Sequence, residues 1–188
     1  MNEKALALIG LIAPLIGLVS VAVSIMLSPW FRWDSNALSD LGHSLNSSVA
    51  SIFNGGLLLA GFLLAIYSVS ALYKYARLTS LFLTLCALLL QSIAVFDEVY
   101  GRLHFFVSVA FFLSLAPASL SYAFERRSLL AVLGLVVALA AWLVHYLGLL
   151  DLGIAVPETI STLAIVPWVL SSAVDIYLER QESSINWI

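Results

Sequence analysis

The chain has 188 residues, 62% of them hydrophobic and 10% charged, with a mean hydropathy of +1.06 and a net charge of −3. Soluble domains carry about 25% charged and about 45–50% apolar residues, so this composition points to lipid as the solvent. The small net charge and the lack of any basic run interleaved with aromatics exclude nucleic acid as a partner, and the single cysteine, Cys86, excludes an internal disulfide and thiolate metal sites.

A bilayer core about 30 Å thick is crossed by about 20 apolar residues rising about 1.5 Å each. Six segments qualify, over about 5–27, 49–73, 78–95, 104–124, 129–150 and 157–178. No long polar domain interrupts them, so residues 1–188 read as one all-α transmembrane domain, a polytopic six-helix bundle. No internal repeat stands out.

The first segment lacks a small-residue cleavage pattern after it and reads as a retained span rather than a removed signal. The link that follows, 29–48, is the longest and opens with "PWFRW", aromatics suited to the headgroup level. Within it "DSNALSDLG" reads as a short interfacial helix ended by Gly42. Ser39 and Asp40 suit capping as well as chemistry, while His43 has no place in a cap. The second span has Asn54 near its start and carries Gly56 and Ala60, then Gly61 and Ala65, in small-xxx-small spacing. That pattern lets helices approach closely, within one chain or between copies of a homo-oligomer.

The third span closes on "FDE", and Gly101 can turn the chain in "FDEVYGRLHFF", which gathers Asp97, Glu98, Arg102 and His104 into one small volume. On a structural reading Arg102 neutralises a carboxylate, and a carboxylate caps the fourth helix or orients His104. On a functional reading His104 is a ligand or proton carrier with Asp97 or Glu98 as its partner. His145 lies about a turn short of the end of the fifth span. In "VPETISTLAIVPW" Pro157 and Glu158 suit a first helical turn, Thr162 shares a face with Glu158, and Pro167 is expected to kink the sixth span. Asp175 reads as interfacial, and Trp187 and Ile188 as a tail touching the membrane surface.

Six basic residues, Lys4, Lys74, Arg77, Arg126, Arg127 and Arg180, fall at the termini and the second and fourth links, against Arg32 and Arg102 on the other side. The positive-inside rule then puts both termini in the cytoplasm. All three histidines and six of the eleven acids lie at or near the outer side. His43, His104 and His145 with carboxylates are chemically sufficient to hold zinc and an activated water, although no HxxxH or HExxH spacing is present. A metal-free alternative makes Ser39 a nucleophile with a histidine base, without a GxSxG elbow to support it.

"NALSDLGHSLNSSVASIFNGGLLLAG", "VFDEVYGRLHFFVSVAFF" and "PETISTLAIVPWVL" together resemble a family of six-span prokaryotic membrane proteins catalogued as a domain of unknown function, number 998. The resemblance covers nearly the whole chain. It marks Ser39, Leu41 and Gly42 in the outer loop, Asn54 in the second span, His104 at the head of the fourth, and Glu158 and Trp168 in the sixth. The chain departs from the pattern at Asp97, where such proteins often have proline. It is similar more loosely to the multi-span ceramidase and adiponectin-receptor hydrolases, which place Ser, Asp and three His around zinc; their seventh span and paired histidines are missing here.

The leading expectation is a multi-pass protein of the cell membrane with an outward-facing polar site that binds or processes a lipid or other amphiphile. If it is an enzyme, a membrane-embedded lipid hydrolase fits best, with His104, Asp97, Glu98, Ser39 and Asp40 as catalytic candidates. Asn54, Glu158, Thr162 and Trp168 are then the substrate-binding candidates, and His43, His104 and His145 the metal ligands. The alternatives are a non-catalytic structural or helper protein, whose polar groups cap and pair locally, and a small-solute transporter or channel, whose polar groups would continue past mid-membrane towards Ser171 or Asp175.

Overall fold

A computed structural model describes residues 3–185; the expected membrane contacts of Trp187 and Ile188 lie outside them. The described residues form helices and connecting turns with no strand. Six helices are long and apolar enough to cross a membrane. They are α1 (Glu3–Met26), α2 (Ala50–Tyr67), α3 (Arg77–Val95), α4 (Arg102–Arg126), α5 (Leu129–Tyr146) and α6 (Ala155–Ile185). α2 continues through a π turn, Ser68–Leu72, as far as Tyr75. Large apolar side chains such as Val19, Phe106 and Val136 stay exposed around the bundle, as a lipid-facing belt requires. The chain is a multi-pass integral membrane protein.

Each helix packs against its neighbour in sequence and α6 closes back on α1, so the bundle is a ring. α4 and α6 touch only sparsely, and α5 packs outside them against both. Small residues set the closest approaches. A Cβ on Gly56 would collide with Ser20 of α1, and one on Gly61 would sit 2.8 Å from the Ala87 carbonyl of α3. The small-residue stripe of α2 is therefore filled from within the chain. Gly55 differs, with nothing within 4 Å of the same position.

Several ends and bends depart from expectation for local reasons. α5 stops at Tyr146, four residues before the expected end, where Gly148 takes a positive φ of 60° and turns the chain. α6 starts two residues before Pro157 and continues unbroken through Pro167. α3 has no cap of its own: Glu125, at the end of α4, accepts the Leu78 and Thr79 backbone N–H groups and the Thr79 hydroxyl.

Candidate functional site

The link between α1 and α2 folds back over one end of the ring, called here the loop end. Its "DSNALSDLG" stretch is a single 3-10 turn over Leu38–Gly42 rather than an α-helix. Leu41 is fully buried among Phe53, Leu57 and Ile93, so one apolar side chain anchors the turn. The turn that leads to it is tied to the start of α6, where Gly153 N–H donates to the Trp33 carbonyl (2.9 Å) and Ala155 N–H to that of Asn36 (3.0 Å). On the exposed side Arg32 and Ser35 hydrogen-bond to Asp34 and hold its carboxyl down at about 2.

Three carboxylates from the bundle receive the donors of this loop. Glu158 Oε2 accepts the Leu38 N–H at 2.7 Å, Glu98 Oε1 accepts the Ser39 hydroxyl at 2.5 Å, and Asp97 Oδ2 accepts the Ser44 N–H at 3.3 Å. Asn54 adds a fourth tie, its side-chain amide donating to the Gly42 carbonyl at 2.7 Å. Burial works to raise the Asp97 pKa, but the hydrogen bonds from Ser44 and from Val99 N–H outweigh it and hold the carboxyl below its ordinary value.

His104, 5% exposed, sits at the head of α4. Its Nδ1 lies 2.7 Å from the Phe96 carbonyl, which can only accept, so Nδ1 carries the hydrogen. In the neutral ring Nε2 then accepts from the Ser108 hydroxyl at 3.2 Å, and the same nitrogen is 3.4 Å from Glu98 Oε1. Ser39, Glu98, His104 and Ser108 thus form one continuous polar chain.

Other candidates serve elsewhere. Of the two expected partners of His104, Glu98 is the one beside the imidazole, while Asp97 caps the Glu98–Tyr100 turn and holds Ser44. Asp40 accepts from Asn36 and from the Ala37 N–H and so closes its own turn. Arg102 makes no ion pair among the described residues, so the hairpin carboxylates are held by hydrogen bonds rather than by that guanidinium. His43 pairs with Asn46 at 3.0 Å, and His145, at the end of α5, with the Leu152 carbonyl at 3.2 Å. Neither joins His104, and among the described residues no three His, Cys, Asp or Glu side chains gather as a metal site. The expected three-histidine cluster fails because each ring belongs to a different corner of the loop end. Trp168 is fully buried but stacks on Tyr122 (centroids 4.8 Å apart) ten residues beyond Glu158, about 15 Å along the helix.

Below the loop the ring encloses a cavity of about 160 Å³. α1, α2, α3, α4 and α6 line it; α5 does not. On α6 the lining runs from Glu158 to Val169, eleven residues or about 16 Å deep, about half a bilayer core. The walls are apolar, with Phe53, Leu57, Leu90 and Phe111 among them, and the floor carries Leu83, Leu115 and Val169. Leu38, Ser39, Ser108, Glu158, Thr159 and Thr162 lie at the loop end. Beyond the floor lies a second polar group, with the Tyr67 hydroxyl 2.8 Å from Ser172 and the Tyr75 hydroxyl 3.4 Å from Asp175. The apolar floor separates the two. Ser108 and Thr159 were not singled out from sequence; Ser108 stands one turn after His104 and was legible from that spacing.

No curated protein and no solved structure matches the chain. The family described as a protein of unknown function, DUF998, matches residues 11–175. That match takes in all but the first turns of α1 and the end of α6, and the chain belongs to the DUF998 family.

Proposed function

We propose that this protein holds a short hydrocarbon chain of an amphiphile in the cavity of the ring, with the headgroup at the loop end. The observation that carries the reading is the cavity's lining: it runs about 16 Å along α6, apolar along its walls and polar only at one end. A void of about 160 Å³ costs on the order of 4 kcal/mol where nothing fills it, and a lipid chain is the occupant a bilayer supplies. The bias of basic residues towards the opposite end supports an orientation with the loop end outside and both termini in the cytoplasm, so that the chain enters from the outer leaflet of the cell membrane.

The polar chain favours binding over acyl transfer. A nucleophilic serine needs the imidazole next to it and the carboxylate behind, whereas here the Glu98 carboxylate stands between Ser39 and His104. The test is native mass spectrometry of the detergent-purified protein. One retained amphiphile per chain is expected, and it is lost when Leu90→Trp or Leu57→Trp fills the cavity in a protein that still melts cooperatively. Equal retention by the filled variants refutes the reading.

A further inference from the structure

The rim of the cavity has a polarity of its own. Four of the five hydroxyl and thiol groups that line it have their hydrogens already committed: Ser39 to Glu98, Thr159 to the Ala155 carbonyl (2.7 Å), Thr162 to the Glu158 carbonyl (2.9 Å), and the deeper Cys86 to the Ser114 carbonyl. The fifth, Ser108, has its hydroxyl 3.2 Å from His104 Nε2. What these groups offer the cavity is lone pairs. No lysine, arginine, histidine, asparagine or glutamine lines it. The remaining polar residue is Glu158, 7% exposed, with the Leu38 N–H on Oε2. The first turn of α6 favours a negative charge there, yet no cationic side chain pairs with it among the described residues. Buried carboxylates are ordinarily paired or neutralised.

Resting on the chain-holding role above, we propose that the headgroup is a protonated amine: the cavity takes an alkylammonium amphiphile, whose N–H groups donate to Glu158 and the rim hydroxyls and whose charge balances the carboxylate. An ammonium has three donors and no acceptor, the complement of this rim. A phosphate or carboxylate head would set acceptor against acceptor and anion against anion. A neutral alcohol satisfies one lone pair and leaves the charge of Glu158 unbalanced.

The experiment uses the full chain in a nonionic glucoside detergent, with native mass spectrometry reading the bound fraction of hexylamine, hexan-1-ol, hexanoate and hexyl phosphate, all with the same six-carbon chain, the length a cavity of about 160 Å³ takes. The amine is expected to bind at least about tenfold more tightly than either anion, the worth of a charge-assisted hydrogen bond or two. Glu158→Gln keeps an acceptor for Leu38 and removes the charge, so it should bring the amine down to the level of the alcohol. Glu158→Asp, which keeps the charge, should preserve the ranking. Hexanoate or hexyl phosphate binding as well as the amine to the unaltered protein overturns the headgroup assignment and leaves the chain-holding role standing; that arm needs no variant to fold. An amine preference that survives in folded Glu158→Gln overturns it too. If none of the four binds, or Leu90→Trp leaves their binding unchanged, the chain-holding role itself falls.

Discussion

His104 ties two helices together before it does anything else. Its Nδ1–H satisfies the Phe96 carbonyl just past the end of α3, where helices leave carbonyls without partners. His104→Ala should therefore cost about 1–3 kcal/mol, the penalty of a buried acceptor left unmade, read as a lowered midpoint in thermal melts. A melt unchanged within error would mean the carbonyl finds another donor. Asp97 gives a pH signature. Its folded pKa is depressed, so its ties stabilise the protein above the unfolded value of about 3.9 and that stabilisation is lost as pH falls through the lower folded value. Melts between pH 6 and pH 3 should show a loss of stability in acid that is smaller in Asp97→Asn; identical profiles would remove Asp97 from the tether. Gly42 is held to its side-chain-free form by packing, since a Cβ there would run into Asn54 Oδ1 and lie 2.9 Å from the Phe53 ring. Gly42→Ala should destabilise by about 1–3 kcal/mol and loosen the loop, visible as faster limited proteolysis within 29–48.

Among the elements, α2 carries the clearest internal contrast. Gly61 faces the backbone of α3, while Gly55, six residues earlier, faces open space. Gly61→Val should destabilise the protein, whereas Gly55→Ala should be neutral or gain up to about 1 kcal/mol from helix propensity. Thermal melts of both proteins check the pair, and equal effects would contradict the packing described. Small-xxx-small spacing in the sequence announced close approach, but not its partner. Ser20 of α1 and Ala87 of α3 emerge only when three helices are placed together. The loop shows the same division. Its length and its Ser, Asp and His were plain in the sequence, and so was the hairpin's gathering of Glu98 with His104. That Glu98 would meet Ser39, fifty-nine residues away, and Glu158 the Leu38 backbone, one hundred and twenty residues away, was not, because local pattern carries no information on which loop folds over which end.

The whole molecule is a ring with one tethered end. The proposed orientation can be checked without any ligand. Leu45, 78% exposed in the loop, and Arg127 at the opposite end are each replaced by cysteine, with the native Cys86 too buried to interfere. Leu45→Cys should react with a membrane-impermeant maleimide on intact cells and Arg127→Cys only after lysis; the reverse pattern would invert the bundle. Against transport, the Leu83, Leu115 and Val169 floor separates the rim from the Tyr67–Ser172 and Tyr75–Asp175 pairs, so polar groups do not run continuously through the ring.

Six spans, the all-α class and the family were all readable from the chain because lipid imposes a length and an apolarity on every crossing segment, and those are local properties. The positions of the polar residues along those spans were readable for the same reason. Their partners were decided by the closing of α6 on α1 and the folding of the 29–48 loop over the ring. Those events set distances between residues far apart in sequence, and they turned a presumed three-histidine cluster into three separate caps and ties. The cavity belongs wholly to that level: a space between five helices is a property of their packing, and no single helix carries a trace of it.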